Sequence, residues 1–136
     1  MDTPEPCEIP NVLIAEDESA LRKVLTRYLR NKGFLVISCP DGRQAIQRLE
    51  ETPVHALLTD IDMPHVGGLE LLAWTREHRP ETRLLVMTGL LSDELRQECF
   101  DLGVETCLQK PLRFDQVARL LRRDLRPSVC AGQNVE

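Results

Sequence analysis

Leu57-Leu58-Thr59-Asp60-Ile61-Asp62-Met63-Pro64 runs from apolar to acidic within four residues and then stops at a proline. A strand covered on both faces reads as an almost unbroken apolar run, and proline has no N–H to give to a sheet ladder. The stretch therefore predicts a buried strand, Val54 to Thr59, with a carboxylate at its end and a loop beginning immediately afterwards. Upstream, Asp41 has the chemistry of a helix N-cap, with Gln44 three residues on and an apolar face of Ala45, Ile46 and Leu49. Downstream, Gly68 to His78 carries Leu69, Leu72 and Ala73 at helical spacing.

The same alternation extends to both sides. Asn11 to Ala15 (NVLIA) predicts the first strand. A helix follows from about Glu18 to Asn31, with Leu21, Val24, Leu25, Tyr28 and Leu29 on its apolar face and Gly33 as the stop signal. Phe34 to Ser38 is the second strand, and Arg83 to Met87 (RLLVM) the fourth. Ser92 to Leu102 is a helix ending at Gly103, Glu105 to Leu108 the fifth strand, and Phe114 to Leu125 the last helix. Strands alternating with helices imply a parallel sheet with both faces covered, and right-handed crossovers leave few windings. The expected fold is α/β: a flavodoxin-like, doubly wound, five-stranded parallel sheet of order 2-1-3-4-5 with five helices. The domain is expected over residues 11–125, with flexible segments at 1–10 and 126–136, the latter a tail or the start of a linker.

Composition agrees with a soluble globular chain. Its 136 residues are 42% hydrophobic and 29% charged, enough for one domain with a core of its own. The net charge of -5 argues against a protein that coats nucleic acid. No apolar run spans a bilayer, and the acidic, proline-rich start lacks the pattern of a signal peptide. The expected compartment is the cytoplasm. Five cysteines (Cys7, Cys39, Cys99, Cys107, Cys130) and three histidines (His55, His65, His78) show no zinc-binding spacing. The inner cysteines are expected to be small buried apolar residues.

In a sheet of this order, sites form at the carboxyl ends of the strands near the switch point. Glu16-Asp17-Glu18 follows the first strand, Asp60 and Asp62 the third, Thr88 and Gly89 the fourth, and Lys110-Pro111 the fifth. Each has an ordinary reading alone. Acidic residues suit a helix N-terminus, aspartates suit turns, and Thr-Gly or Lys-Pro occurs often by chance. All of them falling at successive strand ends on one rim is much harder to attribute to chance. Carboxylates gathered without compensation repel. A divalent cation, magnesium or manganese, relieves that conflict, and Lys110 and Thr88 add a positive charge and a hydroxyl. The set suits phosphoryl transfer.

The motifs VLIAEDES, LLTDIDMPHVGGLELL, LLVMTG and LQKPL, taken in order from about Asn11 to Leu125, resemble the receiver domain of response regulators. The resemblance implies that Asp60 is the phosphoacceptor, charged from a phosphohistidine of a sensor histidine kinase or phosphotransfer protein. It implies an acidic pair in Glu16 and Asp17, with Asp17 the expected direct magnesium ligand, and a backbone carbonyl ligand at Asp62. Thr88 matches the hydroxyl residue that moves toward the phosphoryl group, and Lys110 the lysine that pairs with it. Gly89 leaves the phosphate approachable, while Asp62 and Leu90 match positions that tune phosphoryl lifetime. The Lys110–Pro111 bond is expected to be cis. One position departs from the pattern: Cys107 stands where receivers usually carry the Tyr or Phe that turns inward on activation. Switching is therefore expected to rely on the loop after the fourth strand and on the fourth helix, or to be muted.

Two other readings compete. Asp60-Ile61-Asp62 also fits the D-x-D of haloacid-dehalogenase phosphatases, but Met63-Pro64 stands where Gly-Thr would follow, and the other acidic pair precedes it. Pro64 also favours an extended Met63, which carries the chain away from the strand end. A binding-only pseudo-receiver would need neither Asp60 nor Lys110. The expected protein is a phosphoacceptor with only self-phosphorylation and self-dephosphorylation activity. Its output is a docked protein, a fused domain of a larger regulator or hybrid kinase, or a dimer through the fourth helix, fifth strand and fifth helix. Arg113, Arg119, Arg122, Arg123 and Arg126 make the last helix basic, which reads as a solvated face and not a nucleic-acid site.

Overall fold

The computed structural model describes residues 11–124. The expectations for residues 1–10, 125 and 126–136, and for Cys7, Arg126 and Cys130, lie outside the described residues. Five strands and five helices alternate: β1 (Asn11–Ala15), α1 (Ser19–Asn31), β2 (Leu35–Cys39), α2 (Gly42–Glu51), β3 (Ala56–Asp60), α3 (Gly68–His78), β4 (Arg83–Thr88), α4 (Asp93–Asp101), β5 (Thr106–Gln109) and α5 (Phe114–Asp124). All neighbouring strands are parallel, in the order β2-β1-β3-β4-β5. The flavodoxin-like winding expected from the alternation is the one observed.

The two-residue period of the strands divides the core. Val12, Ile14, Ala56, Leu58, Leu85 and Met87 face one way and pack with Leu25 and Leu29 of α1 and Val117 and Leu121 of α5. Leu13, Ala15, Leu57, Leu84 and Val86 face the other way, against Ala45 and Leu49 of α2, Leu71 and Leu72 of α3, and Cys99 of α4. All five residues of β3 are buried, because it lies mid-sheet with helices on both sides. The edge strand β2 leaves Leu35 exposed.

Capping chemistry sets the helix limits. Asp41 accepts from the Gln44 N–H at 2.9 Å, and Ser92 from the Leu95 N–H at 3.0 Å, each closing an orphan donor of a first turn. At the end of α1, Gly33 takes φ 99°. Its N–H reaches the Arg30 carbonyl at 3.0 Å, and the Phe34 N–H reaches that of Leu29 at 3.1 Å. This is a Schellman turn, with buried Phe34 and Leu29 in one core cluster.

Several local expectations need correction. Phe34 ends the α1 turn and does not start β2, which runs to Cys39. β3 starts at Ala56, since the Val54 carbonyl is taken by the Thr82 hydroxyl at 2.9 Å, and it extends to Asp60 itself. β4 includes Thr88, and β5 runs Thr106–Gln109. Glu18, Ser92 and Leu102 are caps and not helical residues. Val24 and Ala73 face solvent, because the apolar stripe of each helix is narrower than its apolar composition. Cys39 and Cys99 are buried as expected, but Cys107 is only half-buried, since it lies on the other edge strand.

Candidate functional site

Parallel strands end on a common rim, so their last residues converge. Ala15 pairs with Thr59, Asp60 with Met87, and Thr88 with Gln109. One residue beyond these lie Glu16 and Lys110. The rim residues cluster at the switch point between β1 and β3, where this winding opens a crevice.

Lys110 holds the cluster together. Its Nζ donates to Asp60 Oδ2 at 2.8 Å and to Glu16 Oε1 at 2.9 Å. The Lys110 N–H donates to the Thr88 carbonyl at 2.8 Å, which continues the β4–β5 ladder past its end and fixes the base of the lysine. The bond to Pro111 is cis, as expected. Glu16 is fully buried, and its second oxygen accepts the Glu18 N–H at 2.9 Å. The Asp62 N–H turns back to Asp60 Oδ1 at 3.2 Å, while the Asp62 side chain is exposed. Thr88 is buried, its hydroxyl accepting the Leu90 N–H at 3.2 Å. Gly89 borders open space, and Leu90 is 81% exposed. Pro64 is exposed in the β3–α3 loop, next to His65 at φ 68°.

The electrostatics follow from this burial. Loss of water raises the Glu16 pKa, and the negative charge of Asp60 adds to the rise, against the hydrogen bonds from Lys110 and the Glu18 N–H. Burial works against the Lys110 ammonium, but the hydrogen bonds to Asp60 and Glu16 outweigh it and hold the lysine pKa above its ordinary value. Oxygens of Glu16, Asp17 and Asp60 lie within 4.8 Å of one another. Three carboxylates facing one lysine leave excess negative charge. An all-oxygen donor set of that kind fits a hard divalent cation.

The profile of the response regulator receiver domain matches residues 12–122. The chain belongs to this family. The receiver is 34% identical over 114 residues to the response regulator receiver protein CpdR of Brucella abortus, covering 84% of this chain and 95% of that protein. It is 26% identical over 117 residues to a response regulator of Streptococcus pneumoniae, covering 83% of this chain but only 54% of that protein. Among solved structures, chemotaxis protein CheY4 of Vibrio cholerae superposes with a TM-score of 0.80 at 25% identity, over 85% of this chain and 98% of that one. Receivers are signalling phosphoacceptors of two-component systems, working with histidine kinases or phosphotransfer proteins. Among the described residues of this receiver, no helix is long and apolar enough to cross a membrane.

Two supporting residues escaped the sequence reading. Arg22 of α1 donates to the Glu16 carbonyl at 2.8 Å, steadying the turn that carries Glu16 and Asp17. Gly68 opens α3 against the end of β3, where an added Cβ would sit 2.2 Å from the Asp60 carbonyl oxygen. The Gly67-Gly68 pair was the available signal for that close approach. Arg22 gave none, being one of several arginines on α1.

Proposed function

We propose that this receiver takes a phosphoryl group on Asp60 from the phosphohistidine of a partner kinase or phosphotransfer protein. An Asp60 carboxylate oxygen bonds to phosphorus as the P–N bond breaks, and the histidine nitrogen leaves with the electron pair. The observation that carries this reading is the placement of Asp60: a buried strand-end carboxylate with Lys110 Nζ at 2.8 Å and further carboxylates beside it. Glu16 and Asp17, with Asp60 and the Asp62 carbonyl, would hold Mg2+ or Mn2+, which neutralises charge on the transferring group. Both Glu16 oxygens already accept hydrogen bonds, which favours Asp17 as the direct ligand. Lys110 stabilises phosphoryl oxygens, and the Thr88 hydroxyl trades its Leu90 contact for one to the new anion. Open space at Gly89 leaves room for that anion, and exposed Leu90 and Asp62 flank the path of hydrolytic water. Pro64 and cis Pro111 set the loops around it.

We place the receiver domain at residues 11–125, and one feature argues against sustained phosphatase turnover. The Asp62 side chain is exposed while its N–H is turned to Asp60, an arrangement poorly suited to the dehalogenase acid–base role. Acetyl phosphate labelling of wild type and Asp60→Asn tests the assignment. Labelling is expected in the wild type alone, and equal labelling of both proteins refutes it.

With Cys107 in place of an aromatic ring, the switched surface is the β4–α4 loop and α4, docking a protein partner, a fused output domain or a second copy through α4, β5 and α5. Backbone NMR shifts on beryllofluoride binding are expected to extend from Asp60 into α4. Confinement to the Asp60 pocket would remove this surface from the mechanism.

A further inference from the structure

Cys99 and Cys107 are eight positions apart in sequence and pack into the same core cluster on one face of the sheet. Cys99 is the last buried residue of α4. Its carbonyl accepts the Leu102 and Val104 N–H groups, both at 3.0 Å, so the chain turns sharply and enters β5 within a few residues. On β5, Leu108 belongs to the core cluster under α1 and α5, so the strand alternation sends Cys107 to the opposite face. There it packs against the cluster that contains Cys99. The two thiols are near enough for each to influence the other's ionisation. Both are free, and Cys107 is half-buried where Cys99 is sealed.

We propose that Cys99 and Cys107 form an oxidisable dithiol, closed to a disulfide by hydrogen peroxide, that clamps the last turn of α4 to β5. Cys107 is the accessible member. Its sulfur attacks the peroxide O–O bond and becomes a sulfenic acid, and the other oxygen leaves as water with the thiol proton. The Cys99 sulfur then displaces the sulfenic hydroxyl, which takes the Cys99 proton and leaves as a second water. The two thiols together lose two electrons and two protons, and the peroxide gains them.

Burial and the neighbouring Cys107 push the Cys99 thiol up to about 12. That suits a resolving partner, which acts only once the adjacent sulfur has become electrophilic, and not a first responder. Closing the bond requires both side chains to rotate so that the sulfurs face each other. The bond would fall at the position whose side chain turns on activation in other receivers. The consequence for signalling rests on the phosphoacceptor reading above, whereas the bond itself does not.

The test uses the full chain, reduced and then treated with hydrogen peroxide. Trypsin is blocked at Lys110 by Pro111, so one peptide, Gln97 to Arg113, carries both cysteines. After oxidation this peptide should be lighter by two hydrogens, resist alkylation in denaturant, and recover both thiols on reduction. Cys99→Ala should leave Cys107 as a sulfenic acid trapped by dimedone, and Cys107→Ser should leave Cys99 alkylatable. Hydrogen exchange across Phe100–Thr106 should slow several-fold in the oxidised protein. Two free thiols after peroxide, Cys107 overoxidised beside a reduced Cys99, or Cys99 joined to another cysteine would overturn the dithiol. A disulfide with unchanged exchange would overturn the clamp. Running Asp60→Asn in parallel separates the two readings, since it should form the disulfide without accepting phosphate.

Discussion

Replacing Lys110 by Met keeps most of the apolar stem and removes the charge. The structure sets the size of the effect. Lys110 is 21% exposed, and its partners Glu16 and Asp60 are 0% and 8% exposed at the side chain. Removing one member of a buried charge cluster typically costs 3–5 kcal/mol, because the remaining charge is left uncompensated. Partial solvent access at the lysine end places this case at the lower limit, about 3 kcal/mol. For a domain of this size that corresponds to a fall of about 10 °C in Tm.

The sign with pH is determined as well. In the variant, burial and Asp60 still raise the Glu16 pKa, and the largest opposing influence, the Lys110 hydrogen bond, is gone. A carboxyl with a raised folded pKa contributes stability below its unfolded value, here 4.5, and loses it as pH climbs through the folded value. The deficit of Lys110→Met should therefore be small near pH 4.5 and widest at neutral pH. The wild-type lysine, also raised, contributes fully below 10.5, and that contribution is lost only as pH rises through its folded pKa. Thermal melts by circular dichroism across this range measure the difference. Magnesium, replacing the missing positive charge among the carboxylates, should raise the Tm of the variant more than that of the wild type. A deficit indifferent to both pH and magnesium would refute the charge argument and point to lost packing of the lysine stem.

Two further predictions concern local geometry. Gly68→Ala should destabilise the fold by about 2 kcal/mol, because the new methyl meets the backbone of Asp60 at 2.2 Å and of Ile61 at 2.6 Å. Gly89→Ala has nothing within 4 Å and should be nearly neutral in the same denaturant melts; equal effects would count against the steric reading. Asp41→Ala removes the oxygen that caps Gln44 and should lower stability by about 1 kcal/mol, while Asp41→Asn should retain most of it.

The order of elements was legible because each is a local pattern: a five-residue apolar run, a 3.6-residue stripe, a Gly where Schellman turns close α1 and α4. Element limits were less legible. Phe34 and Val54 are as apolar as any strand residue, and only their own backbone hydrogen bonds, the Phe34 N–H to the Leu29 carbonyl and the Val54 carbonyl from the Thr82 hydroxyl, assign them elsewhere. The carboxyl-end rim could be read as well, since parallel strands bring every terminal residue to one side of the sheet.

By itself, then, the sequence determined the alternation, the winding class and the acidic and basic residues at the strand ends. It could not say that Lys110 reaches Glu16, 94 positions away, as well as Asp60. Nor could it bring Cys99 and Cys107 together or press Gly68 against Asp60. Hydrophobic periodicity is a property of neighbours along the chain. A shared hydrogen bond or a close backbone approach depends on register and crossover, and those are fixed only when the sheet assembles and its two faces are packed.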